Sequence, residues 1–221
     1  MTREAYHKAL KDVQDEVLSI ADKVGKALKD SVEALKQRDR ETSKRIIRED
    51  VIINKMRFDI EDKCLLLIAT QQPMAVDLRI LAAVINIITD LERIGDHAEG
   101  IAKINIAIGE DSLVKPLVDI PKMGEKGLSM LERCMKAFVD RDIESARQIC
   151  NEDDEVDALY DQIYGELLLI MIENPKTIQG ATYLIWTAHN LERTADRVTN
   201  IAERIVFMVT GKMEEMNVSK Y

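Results

Sequence analysis

The sequence predicts an all-α protein built as a tandem repeat of two antiparallel three-helix bundles packed side by side. The composition supports this, because only 9 Gly, 4 Pro and 4% aromatic residues occur among 221 residues, as is typical of long helices. Apolar residues recur at alternating spacings of three and four, which indicates amphipathic helices. The same apolar pattern starts again about 100 residues later, which indicates a repeated structural unit.

Three helices are predicted in the first half. The first carries a heptad-like apolar stripe from Tyr6 to Ala34. Asp39 is the expected N-cap of the second helix, because a carboxylate there can accept hydrogen bonds from free backbone N–H groups. The second helix ends before Pro73, since the residue preceding a proline avoids helical angles. The third helix fades near Gly109.

The segment Glu110–Pro121, which contains two prolines, separates the two halves. The pattern then restarts, with Arg141-Asp142 matching Arg38-Asp39, and the last helix ends at Gly211. The predicted divisions are a first three-helix repeat over residues 1–110, a second over 111–211 and a C-terminal tail over 212–221.

The overall charge and the cysteines exclude several classes of protein. A formal net charge of −9, with no long cluster of Lys or Arg, argues against nucleic acid as a ligand. The longest apolar stretch, around Ile80–Ile88, is far shorter than the ~18 residues of a membrane-spanning helix. The charged N-terminus from Arg3 onward is unlike a signal peptide. Cys64, Cys134 and Cys150 form no paired motif and indicate core packing in a reducing compartment. We therefore expect a soluble, cytoplasmic protein.

One short acidic motif occurs twice, in Asp90–His97 and in Asn190–Arg197. Each copy places a Glu and an Asp four residues apart on one helix face, where like charges repel by a few tenths of a kcal/mol. The two pairs are Glu92 with Asp96 and Glu192 with Asp196. A cation held between the carboxylates would offset this repulsion.

A second polar pair lies on the middle helix of each half, Asp50 with Asn54 and Asp153 with Asp157. In an antiparallel hairpin each pair should lie at the level of the acidic motif on the third helix, since both helices rise 1.5 Å per residue. Clustered oxygen ligands from facing helices suit divalent metals. The predicted metal ligands are Asp50, Asn54, Glu92, Asp96, Asp153, Asp157, Glu192 and Asp196, and Glu99 and Glu203 could assist. The competing interpretation is a solvated acidic helix face.

No arrangement of residues resembles an active site. The only Glu-x-x-His sequence is Glu4–His7, whereas a ferritin-like di-iron site needs one from each of two helices. His97 and His189 lie outside any such pattern, and no Gly-rich phosphate loop or Ser-His-Asp arrangement is present. The sequence therefore predicts no catalytic residues and no organic cofactor. Trp186 is expected to serve in core or interface packing.

In these residues the chain resembles the PhoU family of phosphate-transport and phosphate-signalling regulators, over almost its whole length. The resemblance includes Tyr6-His7, the Asp50–Asn54 spacing, the segment Gln71–Arg79 and both copies of the Leu-Glu-Arg-x-x-Asp motif, at Leu91–Asp96 and Leu191–Asp196.

The resemblance implies two three-helix bundles, commonly dimeric, with multinuclear clusters of iron, zinc or other divalent metals at the acidic motifs of some members. It also implies a negative regulator of the phosphate-starvation response that links the ATPase of a phosphate ABC transporter to a sensor histidine kinase. Contact with membrane complexes would be peripheral. Asn54 departs from the family's carboxylate pair, so a metal site in the first half would carry less negative charge.

Three functions remain open from the sequence. The first is the regulator of phosphate uptake and signalling, which works by docking on other proteins. The second is a metalloenzyme with a carboxylate-bridged cluster. The third is a histidine-phosphotransfer bundle, which would require an exposed His97 imidazole beside a basic side chain.

Overall fold

A computed structural model describes residues 2–216, within which the chain is helical and contains no β-strand. The helices are α1 (Arg3–Gln37), α2 (Arg40–Gln71), α3 (Val76–Ile108), α4 (Asp119–Asp140), α5 (Ile143–Asn151), α6 (Asp153–Glu173) and α7 (Ile178–Thr210). A 3₁₀ turn, Pro175–Thr177, precedes α7. The all-α prediction, with a three-helix unit occurring twice, is confirmed. No described helix is long and apolar enough to cross a membrane.

The two halves lie side by side, with α3 and α7 packed antiparallel at the centre. Arg79 near the start of α3 donates to the Met208 carbonyl near the end of α7, at 3.4 Å. α1 also contacts α4, whereas α2 contacts only α1 and α3 among the described elements. Buried apolar side chains from both halves form one hydrophobic core. The outer helices α2 and α6 therefore each keep one face away from the other half.

The N-cap predicted at Asp39 is confirmed. Its carboxylate accepts hydrogen bonds from the N–H groups of Glu41 and Thr42, both at 3.0 Å. Asp142 caps α5 in the same way, accepting from the Ser145 N–H at 3.1 Å. These bonds lower the pKa of both carboxyl groups. The repeated Arg-Asp pair thus marks the same turn in each half.

The middle helix of the second half differs from the single helix that the sequence predicts. It is interrupted at Glu152, which separates α5 from α6. Arg133 of α4 binds the Glu152 carboxylate through two hydrogen bonds, at 2.6 and 2.5 Å. Three acidic residues follow in the first turn of α6, where they favour a new helix start because the positive end of the helix dipole attracts negative charge. Both α5 and α6 contact α7.

Several smaller expectations have clear outcomes. Cys64, Cys134 and Cys150 are buried free thiols, as predicted. Trp186 is half-exposed and meets Tyr183 edge to face, so it is not a core residue. The structure describes residues 212–216 of the tail predicted over residues 212–221, and Met216 there donates its N–H to Glu203 at 2.7 Å. The rest of that prediction, residues 217–221, lies outside the described residues.

A buried polar cluster fixes the α1–α2 turn against α3. Asn105 on α3 is fully buried and donates to the carbonyls of Ala34 and Asp39, at 3.0 and 3.2 Å. It also accepts a hydrogen bond from Arg38, at 2.9 Å. Arg38 has a left-handed backbone conformation with φ of 59°, which is unfavourable for a residue with a Cβ atom. The bonds to Asn105 help to stabilise this conformation.

We expect Asn105→Ala to lower the free energy of unfolding by about 2 kcal/mol, because it leaves buried hydrogen-bonding groups without partners. Urea denaturation measures the change. Asn86→Ala is the matched control, since the Asn86 amide donates on the surface to the Ala82 carbonyl of its own helix. Equal losses in the two variants would show that the buried cluster does not stabilise the turn.

Candidate metal sites on the acidic helix faces

The structure brings the first-half candidates together between α2 and α3. Burial raises the pKa of the Asp50 carboxyl group, and the nearby carboxylates of Glu99 and Asp96 raise it further. Burial also raises the pKa of Glu92, as do Asp96 and Asp50. The four carboxylates therefore share one electrostatic environment, as the antiparallel hairpin requires.

Gly95, which the sequence analysis did not single out, permits the close approach of the two helices at this level. A Cβ atom at Gly95 would lie 3.3 Å from Ile53 side-chain carbons and 3.7 Å from Asp50 Oδ1. The sequence could have indicated this role, because Gly95 lies between Glu92 and Asp96 in the repeated motif. Any side chain there would press against the part of α2 that carries Asp50.

Two oxygens of the first cluster have no hydrogen-bond donor. The Asn54 amide donates to Asp50 Oδ2 at 2.8 Å. Asp50 Oδ1 and Asn54 Oδ1 remain buried without a partner among the described residues. Buried acceptors of this kind are normally satisfied by a donor, a water or a cation. The pair thus has the right chemistry for a cation that prefers oxygen ligands.

The second-half candidates meet between α6 and α7. The pKa of Glu192 is raised to about 7 by burial, by Asp196 and by Asp157 and Asp153. The pKa of Asp157 is also raised, by burial and then by Asp196. Glu192 Oε2 is buried without a hydrogen bond, although His189 Nδ1 lies 3.3 Å away. Among the predicted ligands, this half has four carboxylates and the first half has three, because Asn54 stands where the second half has Asp157.

Arginines occupy one side of each cluster. Arg93 donates to Asp96 at 2.8 Å, and Arg193 donates to Asp196 at 3.1 Å. Among residues 2–216, no three His, Cys, Asp or Glu side chains converge closely enough to hold an ion in the conformation described. The structure therefore places the predicted residues together with unsatisfied oxygens, but with Asp96 and Asp196 bound to arginine.

The auxiliary candidates differ in position. Glu99 contributes to the field at Asp50 and pairs with Lys103 at 2.5 Å. Glu203 accepts the Met216 N–H at 2.7 Å, so its carboxylate is engaged by the chain that follows α7. His189, three residues before Glu192, places its imidazole beside the second cluster. It lies in no Glu-x-x-His pattern of the sequence.

The position of His97 argues against a phosphotransfer function. It lies where α3 meets α7, and its Nε2 is buried without a hydrogen-bond partner in the described part of the chain. Burial lowers its pKa to about 4, and the positive charges of Arg197 and Arg193 act in the same direction. A phosphoryl acceptor must be reached by another protein, and this nitrogen is shielded from solvent.

The buried His97 leads to a pH prediction. Its folded-state pKa lies below the unfolded value of 6.5, so the unfolded chain binds more protons and the folded state loses stability as the pH falls from about 6.5 toward 4. Between pH 7 and pH 4, we expect the unfolding free energy of the wild type to fall by about 2 kcal/mol more than that of His97→Gln. Urea denaturation of both proteins measures this, and parallel pH profiles would contradict it.

The fold and the site define a class of protein, namely a two-repeat helical protein with an acidic cluster at the equivalent place in each repeat. The family model described as the PhoU domain matches the chain twice, at residues 17–104 and 120–205. The chain belongs to the PhoU family.

Relatives with assigned names agree. The chain is 37% identical over 218 residues to the phosphate-specific transport system accessory protein PhoU homolog of Clostridium acetobutylicum, covering 98% of this chain and 100% of the relative. It is 33% identical over 207 residues to the accessory protein PhoU of Serratia marcescens, covering 94% and 85%.

Solved structures agree as well. The crystal structure of PhoU from Pseudomonas aeruginosa matches with a TM-score of 0.90 and 31% identity, over 94% of this chain and 100% of that one. The phosphate transport system regulatory protein PhoU from Streptococcus pneumoniae matches with a TM-score of 0.89 and 30% identity, over 95% and 99%. The Clostridium acetobutylicum and Serratia marcescens relatives are named as accessory proteins, and the Streptococcus pneumoniae structure is named as a regulatory protein.

Proposed function

We propose that this protein is a non-enzymatic accessory protein of phosphate transport that regulates uptake by docking on other proteins. The observation that carries the proposal is the match of both repeats to the PhoU domain. An accessory protein of the phosphate-specific transport system, 37% identical over 98% of this chain, supports it. The partly exposed acidic helix faces supply surfaces for such contacts.

We also propose which partners the protein contacts and that it represses the response to phosphate starvation. The protein acts in the cytoplasm as a negative regulator of the phosphate-starvation response and contacts membrane complexes only peripherally. It couples the ATPase of a phosphate ABC transporter to a phosphate sensor histidine kinase, and it works as a homodimer. The net charge of −9 suits basic protein surfaces and disfavours nucleic acid as a partner.

We also propose that the acidic clusters hold divalent metal, such as iron or zinc, in one or more multinuclear sites. When bound, a cation would supply the positive charge that cancels repulsion among the carboxylates. The unpartnered oxygens of Asp50, Asn54 and Glu192 support this. Asp96 and Asp196 would exchange their arginine for the ion. The first half, which has Asn54, would bind the more weakly of the two.

A phosphate-starvation reporter in the source organism tests the regulatory function. Deletion of the gene should raise reporter activity in phosphate-rich medium, and the wild-type gene should restore repression. We expect Glu92→Gln/Glu192→Gln to restore it only in part if the clusters take part in docking. Glu125→Gln, at an exposed position on α4, is the matched control. An unchanged reporter and unchanged phosphate uptake after deletion would refute the proposal.

The carboxylate-cluster metalloenzyme is a second candidate, because the unpartnered carboxylate oxygens of Asp50 and Glu192 could hold a cation that activates a bound water. Hydrolase or oxidase turnover by the metal-loaded protein, abolished in Glu192→Ala, would support it. Absence of turnover across substrate classes, with metal bound, would favour the regulator.

A further inference from the structure

An apolar stripe runs along the outward face of α2. Val51, Phe58 and Leu65 follow each other at heptad spacing and are 66%, 58% and 51% exposed. Single exposed apolar residues are common on protein surfaces, but three at seven-residue spacing line one side of the helix, as one of the two apolar positions of a helix–helix contact does. Because α2 contacts only α1 and α3 among the described elements, nothing in residues 2–216 covers this face.

Two exposed charges alternate with the apolar residues. Lys55 lies between Val51 and Phe58, and Asp62 lies between Phe58 and Leu65. Along α2 the face therefore presents an apolar, a positive, an aromatic, a negative and an apolar side chain. Reversing the direction of the helix leaves the apolar positions unchanged and exchanges the signs of the charges.

This order is self-complementary in an antiparallel helix pair. A two-fold axis through Phe58 sets Val51 against the partner's Leu65, and Lys55 beside the partner's Asp62. Two-fold contacts bury the same patch on both subunits, so each pairing occurs twice. In the protomer Lys55 pairs with Asp59 at 2.5 Å. That ion pair is exposed and contributes little, so Lys55 can exchange it for the partner's carboxylate at low cost.

Phe58 has the character of an interface anchor. The Arg57 guanidinium lies 4.6 Å from the centroid of its ring and pairs with Glu61 at 3.1 Å. A cation over the ring face restricts the aromatic side chain before any contact is made. Aromatic and Arg side chains near the centre of a patch are the residues that carry most binding energy at protein interfaces.

The repeat-equivalent face of α6 lacks this pattern. The residues 103 positions later are Asp154 for Val51, Ala158 for Lys55, Asp161 for Phe58, Gly165 for Asp62 and Leu168 for Leu65. The stripe is therefore a property of the first half alone and does not follow from the architecture of the repeat. A contact with a specific partner explains why one half carries it.

We propose that α2 forms the contact between two copies of this chain, packed antiparallel about Phe58. The inference rests on the self-association included in the proposed function and names the surface responsible. Asp50 and Asn54 face α3 on another flank of the same helix, so this contact leaves the acidic clusters accessible. The dimer would thus present both pairs of clusters to other partners.

Sedimentation analysis of the full chain over a range of concentrations tests the surface. We expect the wild type to dimerise and Phe58→Asp to raise the dimer dissociation constant at least about tenfold, since it places two carboxylates at the two-fold axis. Because Phe58 is exposed, helicity and thermal unfolding of the monomer should be unchanged. Leu169→Asp, on α6 with 62% exposure at Leu169, is the control and should leave the dimer intact.

A charge swap tests the identity of the partner. Lys55→Glu alone should weaken the dimer by setting Glu beside the partner's Asp62, and Lys55→Glu/Asp62→Lys should restore it. A wild type that stays monomeric, or a dimer unmoved by Phe58→Asp, overturns the proposal. Failure of the double swap to restore the dimer assigns the stripe to a different protein and overturns it as well. None of these results bears on the reporter test, so the accessory function would stand or fall separately.

Discussion

Glu192→Gln should stabilise the metal-free protein at pH 8 by about 1–2 kcal/mol. The folded-state pKa of Glu192 is about 7, against 4.5 for an unperturbed Glu. The raised pKa favours folding while the group is protonated, and this contribution is lost as the pH rises from 4.5 through 7. The shift corresponds to roughly 3 kcal/mol at about 1.4 kcal/mol per pKa unit, reduced here because solvent screens the partly exposed carboxylate.

Chemical denaturation in the presence of a chelator measures this gain, which should vanish near pH 4.5. Glu92→Gln in the first half should show a smaller gain, since Asn54 leaves that cluster with less charge. Added divalent metal should stabilise the wild type more than Glu192→Gln, in which only the first-half cluster is left to bind it, because a ligand stabilises only the state that binds it. A loss of stability in Glu192→Gln at pH 8 would show that this carboxylate supports the fold, and the electrostatic account of the cluster would be wrong.

Arg197→Met should cost about 2–4 kcal/mol of unfolding free energy, because it leaves a mostly buried charge between the two halves. Asp90 on α3 accepts a hydrogen bond from Arg197 on α7 at 3.3 Å. Burial raises the pKa of Asp90, and Arg197 and the Asn200 side chain act against that rise. Without Arg197 the carboxylate has lost its positive partner, and stability should recover in part as the pH falls and Asp90 becomes protonated.

The double variant Asp90→Leu/Arg197→Met removes both charges and should be closer in stability to the wild type than Arg197→Met alone. Urea denaturation of the three proteins at pH 7 gives the comparison. If the single variant is as stable as the wild type, the ion pair does not hold the halves together. If the double variant is the least stable, the attraction between Asp90 and Arg197 stabilises the fold by more than the free energy that burying their charges costs.

Local chemistry explains which features were predictable. The heptad stripe from Tyr6 to Ala34 and the N-cap at Asp39 depend on residues near each other in sequence, so their structure follows from periodicity and capping. The level at which Asp50 and Glu92 meet follows from the equal rise of two antiparallel helices joined by a short turn. The metal-binding function of these residues stays a prediction.

Features that depend on contacts between distant helices were not predictable. The break at Glu152 involves Arg133 of another helix, and no local proline or glycine signals it. The pairing of Asp90 with Arg197 depends on how the two halves dock. For the same reason, the sequence could not show that Trp186 stays on the surface. The apolar periodicity identifies the helices of each repeat. How the two repeats pack together depends on shape and charge across their whole surfaces.

We propose that the paired acidic motifs are metal ligands in a phosphate-regulatory protein. The most direct test is the metal content, by mass spectrometry, of protein purified without an affinity tag, comparing wild type with Glu92→Ala/Glu192→Ala. We predict bound transition metal in the wild type and a large loss of it in the double variant, with helicity unchanged in both. A correctly folded wild type without metal would contradict the claim and would make the acidic faces protein-docking surfaces.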